Sequence, residues 1–273
     1  MHGESVSVLS ATTRRSTTGR GAAWPPLHAQ CIAVMWLGIL ACGAEFEPRA
    51  VDAPAAVDAP AEVDDASLCQ APDGMGSPTA IDELVELLNV LPGPVSVPCL
   101  VQALDRPLAL NSTSGTLSAQ PAESVHNPRI FIFTDGLTLS IVPAGRGRDL
   151  LEVGEYETPG ESLKGELYMP AEVPVTKDAL YGHLRYSDSI TLCGLCHRDE
   201  RLDPDVGHPN AYVSQAFRPR SSELVALEAV RFEHEGCDAV ADPERCAIYS
   251  ALFDHGPVVH RGFDTELLTI YDK

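Results

Sequence analysis

The stretch "PRIFIFTDGLTLSIVPAG" (residues 128–145) decides the fold. Two apolar runs rich in β-branched and aromatic residues flank Thr134-Asp135-Gly136, and this pattern predicts an antiparallel hairpin. Around it, "VSVPCLVQAL" (95–104), "RPLALNSTS" (106–114), "SLKGELYMPAEVPV" (162–175) and "YGHLRYSDSITL" (181–192) keep a rhythm of short apolar runs broken by Gly and Pro. They read as further strands, with Pro143, Pro170 and Pro174 at edges or strand ends. The expected class is α+β. An antiparallel β-rich domain, a sandwich or a partial barrel, spans 69–192 with one N-terminal helix, and 193–273 follows as a helical segment packed on it.

That first helix is "TAIDELVELLNVL" (79–91). Ile81, Leu84, Val85, Leu88 and Leu91 form one apolar face, Thr79 with Asp82 three residues on suits a capping box, and Pro92-Gly93-Pro94 stops the helix. Near the C-terminus "SSELVALEAVRFEHE" (221–235), with Ser222 as a possible N-cap, and "ERCAIYSALFDHG" (244–256) read as a helical hairpin, followed by a strand or arm. The expected place of this hairpin is against whatever the loop around residue 193 carries. The turn "GRGRD" (145–149) reads as the end of the β-hairpin.

Before residue 69 the composition changes. Arg14, Arg15 and Arg20 precede the eleven-residue apolar run "CIAVMWLGILA" (31–41), which is shorter than a membrane span requires. Ile39 and Ala41 stand three and one residues before Cys42. This segment resembles a bacterial lipoprotein signal. The resemblance implies cleavage after residue 41, acylation of Cys42, and a membrane partner reached through the N-terminal lipid; Gly43 leans towards outer-membrane sorting. Residues 42–68, with their repeated VDAPA, hold too little apolar surface to offset chain entropy and read as a disordered tether.

The chain carries a net charge of −20. Loss of residues 1–41 would remove three Arg and one Glu and make it more acidic. Such a surface disfavours nucleic acid and anionic membrane, and would draw a basic partner protein by a long-range, salt-sensitive field.

Eight cysteines are present. Setting aside Cys31 and Cys42 leaves six in an exported chain, a number that suggests pairing in an oxidising compartment. Proximity suggests Cys69–Cys99 and Cys237–Cys246. Cys193 and Cys196 remain, in "CGLCH" (193–197). Cys-x-x-Cys-His is the spacing that joins two thiols to the vinyl groups of one porphyrin and puts a His beneath the iron. A Cys193–Cys196 disulfide and a metal or redox thiol site are the other readings. Zinc lacks a second Cys/His pair at ligand spacing, and a thioredoxin-like site lacks its strand-to-helix setting.

At this motif the chain resembles monohaem c-type cytochromes. The resemblance implies one covalent haem c, with Cys193 and Cys196 as thioether sites, His197 as proximal iron ligand, and electron transfer or haem-based sensing as the task. It departs from the family in having a strand-like stretch before the motif and no Met after it. His208, His234, His255 and His260 lie downstream; His208 and His255 lead as distal candidates, and Met169 stands upstream. The alternative is a disulfide-stapled envelope lipoprotein that binds or scaffolds without a cofactor. No catalytic constellation such as G-x-S-x-G, H-E-x-x-H or a P-loop is present, so enzyme activity is not expected.

Overall fold

The structure, a computed structural model, describes residues 69–272. The expected signal segment 1–41, the lipidation site Cys42 and the tether 42–68 lie outside the described residues. The order of elements is α1 (Ile81–Val90), α2 (Val97–Ala103), β1 (Leu108–Thr113), β2 (Arg129–Phe133), β3 (Leu137–Ile141), β4 (Leu150–Thr158) and β5 (Glu161–Tyr168). Then come α3 (Lys177–Tyr181), β6 (Arg201–Leu202), β7 (Tyr212–Gln215), α4 (Leu227–Glu235), α5 (Pro243–Phe253) and β8 (Val258–His260). The fold is α+β.

The central hairpin forms as its sequence predicts. β2 and β3 pair antiparallel with Ile130 opposite Ile141 and Phe133 opposite Thr138. Thr134 N–H closes the turn on the Leu137 carbonyl at 3.0 Å. Gly136 sits at φ +112°, and a Cβ there would lie 2.3 Å from the Thr79 carbonyl oxygen. Only glycine allows both the backbone angle and this approach of the hairpin tip to the start of α1.

All described strands join one sheet, in the order β6-β7-β5-β4-β3-β2-β1-β8. Neighbours are antiparallel except β1 and β8, which run parallel. Of the two expected arrangements, a sandwich is excluded, because the strands form one sheet and not two. The C-terminal part does not merely pack on it: β6 and β7 extend one edge and β8 the other. A sandwich needs two apolar sheet faces turned to each other, and here helices cover the apolar face.

That face carries Leu110, Ile130, Ile132, Leu139, Ile141, Val153, Leu163 and Leu167, which share one core with α1, α2, α3 and α5. Ile81, Leu84, Leu87 and Leu88 of α1 are buried there, each worth about 2 kcal/mol of transfer free energy. The capping differs from the Thr79–Asp82 box: Glu83 takes the Thr79 N–H at 2.7 Å and its hydroxyl at 2.9 Å, and Glu155 of β4 accepts the Ile81 N–H at 2.7 Å.

Two predicted strands are not strands. "VSVPCLVQAL" becomes α2, because Ser96 caps the Cys99 N–H at 3.3 Å and a proline occupies the first turn, where its missing N–H costs nothing. "YGHLRYSDSITL" forms a 3-10 turn at Gly182–Leu184 and a loop. In the C-terminal hairpin α4 begins at Leu227, later than Ser222 capping required, and residues 221–223 form a separate 3-10 turn. Both suggested disulfides are present, Cys69–Cys99 and Cys237–Cys246, the second clipping α4 to α5.

Candidate functional site

Because side chains alternate along a strand, the register that buries one face fixes what stands on the other. Phe131 of β2 faces Ser140 of β3, Ser140 faces Glu152 of β4, and Glu152 faces Glu166 of β5. One row over, Thr138, Gly154, Lys164 and Tyr212 follow one another across β3, β4, β5 and β7. This second face is polar, and it forms the floor of a cavity of about 210 Å3 that opens to solvent.

The walls come from the C-terminal part. Residues 263–271 fold back over the face: Phe263 meets Phe131 and Phe133 edge-on at 4.9 and 5.2 Å, and Arg218 N–H donates to the Leu268 carbonyl at 2.9 Å. Leu267, Ile270 and Tyr271 line that side. The opposite wall is the Cys-x-x-Cys-His turn, and Cys193, Cys196 and His197 all line the same cavity.

The turn is helical. Residues Cys193–Leu195 form a 3-10 turn, and the His197 N–H reaches the Cys193 carbonyl at 2.8 Å, an i to i−4 bond of α-helical type. Ahead of it Glu200 accepts the Thr191 N–H at 2.8 Å and also takes its hydroxyl, while Thr191 Oγ1 accepts the Cys193 N–H at 3.2 Å. This brace sets the residue inside the motif: a Cβ on Gly194 would stand 2.3 Å from Glu200 Oε2. Cys193 and Cys196 are not bonded to each other. His197 Nδ1 lies 2.7 Å from the Gln215 carbonyl, so Nδ1 carries the proton and Nε2 is the basic nitrogen. The ring stacks on Phe217 at 5.2 Å.

The floor is electrically unusual. Arg129 pairs with Glu152 and donates to Ser140 Oγ at 2.7 Å, yet Glu152 Oε1 is buried with no hydrogen bond among the described residues. Burial, and next the charge on Glu152, push the Glu166 carboxyl up to about 7. His183 Nε2 lies 3.4 Å from Glu166 without forming a hydrogen bond, and burial holds that imidazole below its usual value. Burial draws the Lys164 ammonium down to about 8. Burial, with the charges on Glu166 and Glu152, pushes the Cys193 thiol up to about 12 against the weaker pull of Lys164 and Thr191.

The proposed distal residues do not join this group. His208 lies 3.5 Å from Asp178 and packs on Tyr181, His255 is exposed after α5, and Met169 is buried in the core. His234 pairs with Asp254, and His260 sits on β8 near Asn111. None of these five lines the cavity. Nor does the α4–α5 hairpin reach it: α5 packs on α2 and α4 on β1, because its apolar residues face the core. The sequence alone does not single out Lys164, Glu166 or Arg129, and it suggests that Glu152, in "EVGEYE", is a solvated carboxylate, whereas Glu152 is largely buried and paired with Arg129. The alternation of Ser162, Lys164 and Glu166 with Leu163, Gly165 and Leu167 was the available signal.

Among the described residues no three His, Cys, Asp or Glu side chains are grouped to cage a bare metal ion. No protein-family model matches the chain, and no curated protein or solved structure matches it.

Proposed function

We propose that the protein carries one covalent haem c, with Cys193 and Cys196 as thioether sites and His197 as proximal iron ligand, and serves one-electron transfer or haem-based sensing in the cell envelope. The observation that carries this reading is that two thiols unbonded to each other and the His197 imidazole share one helical turn and one cavity. The Nδ1–H bond to the Gln215 carbonyl fits as well. It is the kind of contact that orients a ligating imidazole and raises its basicity.

The surroundings suit a flat, partly apolar group. Phe217, Phe263, Leu267 and Ile270 offer apolar wall, and a group larger than the cavity extends through its open side. Bound haem supplies one-electron chemistry at iron, with a potential tuned by axial ligand, burial and nearby charge. The chain's part is to hold the imidazole between the Gln215 carbonyl and the Phe217 ring, and to place Glu152, Glu166, Lys164 and Arg129 where their charges act on the group. Export and lipid anchoring through Cys42 belong to the same proposal, as does a basic redox partner met through salt-sensitive encounter with the acidic surface.

The test is the absorption spectrum of the full-length protein, matured in a haem-attaching host and then denatured. A c-type haem spectrum that survives denaturation and is abolished by Cys196→Ser supports the reading. A colourless protein overturns it and favours the disulfide-stapled binding module without cofactor.

A further inference from the structure

If His197 held an iron, a second donor would have to come from the same cavity, and the candidates named from the sequence are elsewhere: Met169 is in the core, and His208 and His255 are outside the cavity. The donors that line the cavity beyond the motif are few. Arg129, Arg218 and Arg220 keep their protons and cannot ligate. Glu152, paired with Arg129 through Oε2, and Glu166, a buried carboxyl facing His183, offer oxygen and not nitrogen. Tyr156 and Tyr271 are phenols at the partly exposed rim. The remaining nitrogen donor is Lys164, at the floor of the same cavity and on the sheet face that the motif covers.

The setting of Lys164 suits a ligand better than a salt-bridge partner. Among the described residues no carboxylate pairs with its amine. Its Nζ contacts Ser162 Oγ at 2.5 Å, the Ser162 carbonyl at 3.3 Å and the Ser214 carbonyl at 3.5 Å. A neutral amine that gives its lone pair to a metal keeps two N–H groups. Ser162 and Ser214 supply acceptors for both, so ligation leaves no buried donor unsatisfied.

We propose that Lys164 is the second axial ligand of the iron, giving a His197–iron–Lys164 centre; this rests on the haem reading above. A bis-nitrogen centre of this kind is low-spin and closed to small ligands, and its potential lies below that of a His/Met centre. It would make electron transfer, rather than gas sensing, the task of the site.

The test uses the full-length ferric holoprotein and its Lys164→Ala and Lys164→Met variants, compared at equal covalent haem measured after denaturation. The wild type is expected to be low-spin by absorption and electron paramagnetic resonance. Lys164→Ala should become high-spin and bind added imidazole at least about tenfold more tightly. Lys164→Met should return to low spin with the far-red absorption of methionine-ligated ferric haem and a raised potential.

A high-spin wild type overturns the proposal without reference to either variant. So does a pair of variants that keep the wild-type spin state and imidazole affinity. A change of potential alone would make Lys164 a neighbouring charge and not a ligand, which also overturns it. Absence of covalent haem from the denatured wild type is a separate result, and removes the haem reading itself.

Discussion

Glu152 and Glu166 stand directly opposite each other on β4 and β5, two carboxyl groups facing one cavity, and Arg129 is paired with Glu152. Arg129 is bonded to Glu152, so the second carboxyl takes the cost of burial. The free energy involved has a definite sign. A carboxyl whose native value is raised binds its proton more tightly folded than unfolded, so ionising it destabilises the fold. Stability contributed by the protonated form is complete below about pH 4.5 and declines as pH rises, until the loss is complete above about 7. Glu166→Gln should remove this decline and make the protein more stable at pH 8 by about 1–3 kcal/mol. Denaturant melts at pH 5 and pH 8 test this, and a variant equally destabilised at both would contradict it.

The surroundings of the Cys193 thiol bear on its reactivity. With its thiol pushed up to about 12, Cys193 in the folded, cofactor-free protein holds almost no thiolate at pH 8. Alkylation of Cys193 by iodoacetamide should be at least about a hundredfold slower than in the same protein unfolded in denaturant. Peptide mapping of the labelled sites measures this ratio. Equal rates would show that burial and the floor carboxyls do not hold the thiol protonated; under the proposed haem reading, the expected slowing favours attachment before folding.

Gly194 is fixed by Glu200 and Ile190, not by the Cys-x-x-Cys-His spacing itself. A Cβ 2.3 Å from Glu200 Oε2 forces the carboxylate off Thr191 and unbraces the turn, so Gly194→Ala should cost about 1–3 kcal/mol. Glu200→Ala alone loses the brace. The double variant should be less destabilised than the sum of the two singles, because the clash and the brace involve the same oxygen. Strict additivity in a thermal melt would refute the coupling.

The Cys69–Cys99 bridge ties the start of the described chain to α2, across the whole of α1. Replacing both cysteines with Ala should cost about 3 kcal/mol, since the cross-link restricts a loop of some thirty residues in the unfolded chain. Urea melts of the double variant against the parent would show it, and an unchanged midpoint would contradict it.

Local features were legible in the sequence and long-range ones were not. The turn at Thr134-Asp135-Gly136 and the apolar stripe of α1 follow from short-range chemistry and both disulfides from pairing neighbouring cysteines along the chain, and each formed. "VSVPCLVQAL" misled because the short apolar run Cys99-Leu100-Val101 fits a buried helix as well as a strand; the Ser96 cap and the early proline decided for α2. The single sheet was hidden because β6, β7 and β8 are short and are recruited from a tail whose helical periods dominate the pattern. The motif at 193–197 was visible, but its floor was not. Arg129, Glu152, Lys164 and Phe263 meet only through the register of β2, β4 and β5 and the fold-back of the C-terminus. No spacing along the chain encodes that meeting.

The central claim is a pair of thioether bonds, and mass spectrometry of the tryptic peptide spanning residues 186–198 tests it most directly. The peptide from full-length protein matured in a haem-attaching host should carry the mass of one haem, with fragments placing it on both Cys193 and Cys196. An unmodified peptide, recovered from a host that attaches haem to a control cytochrome under the same conditions, would contradict the account.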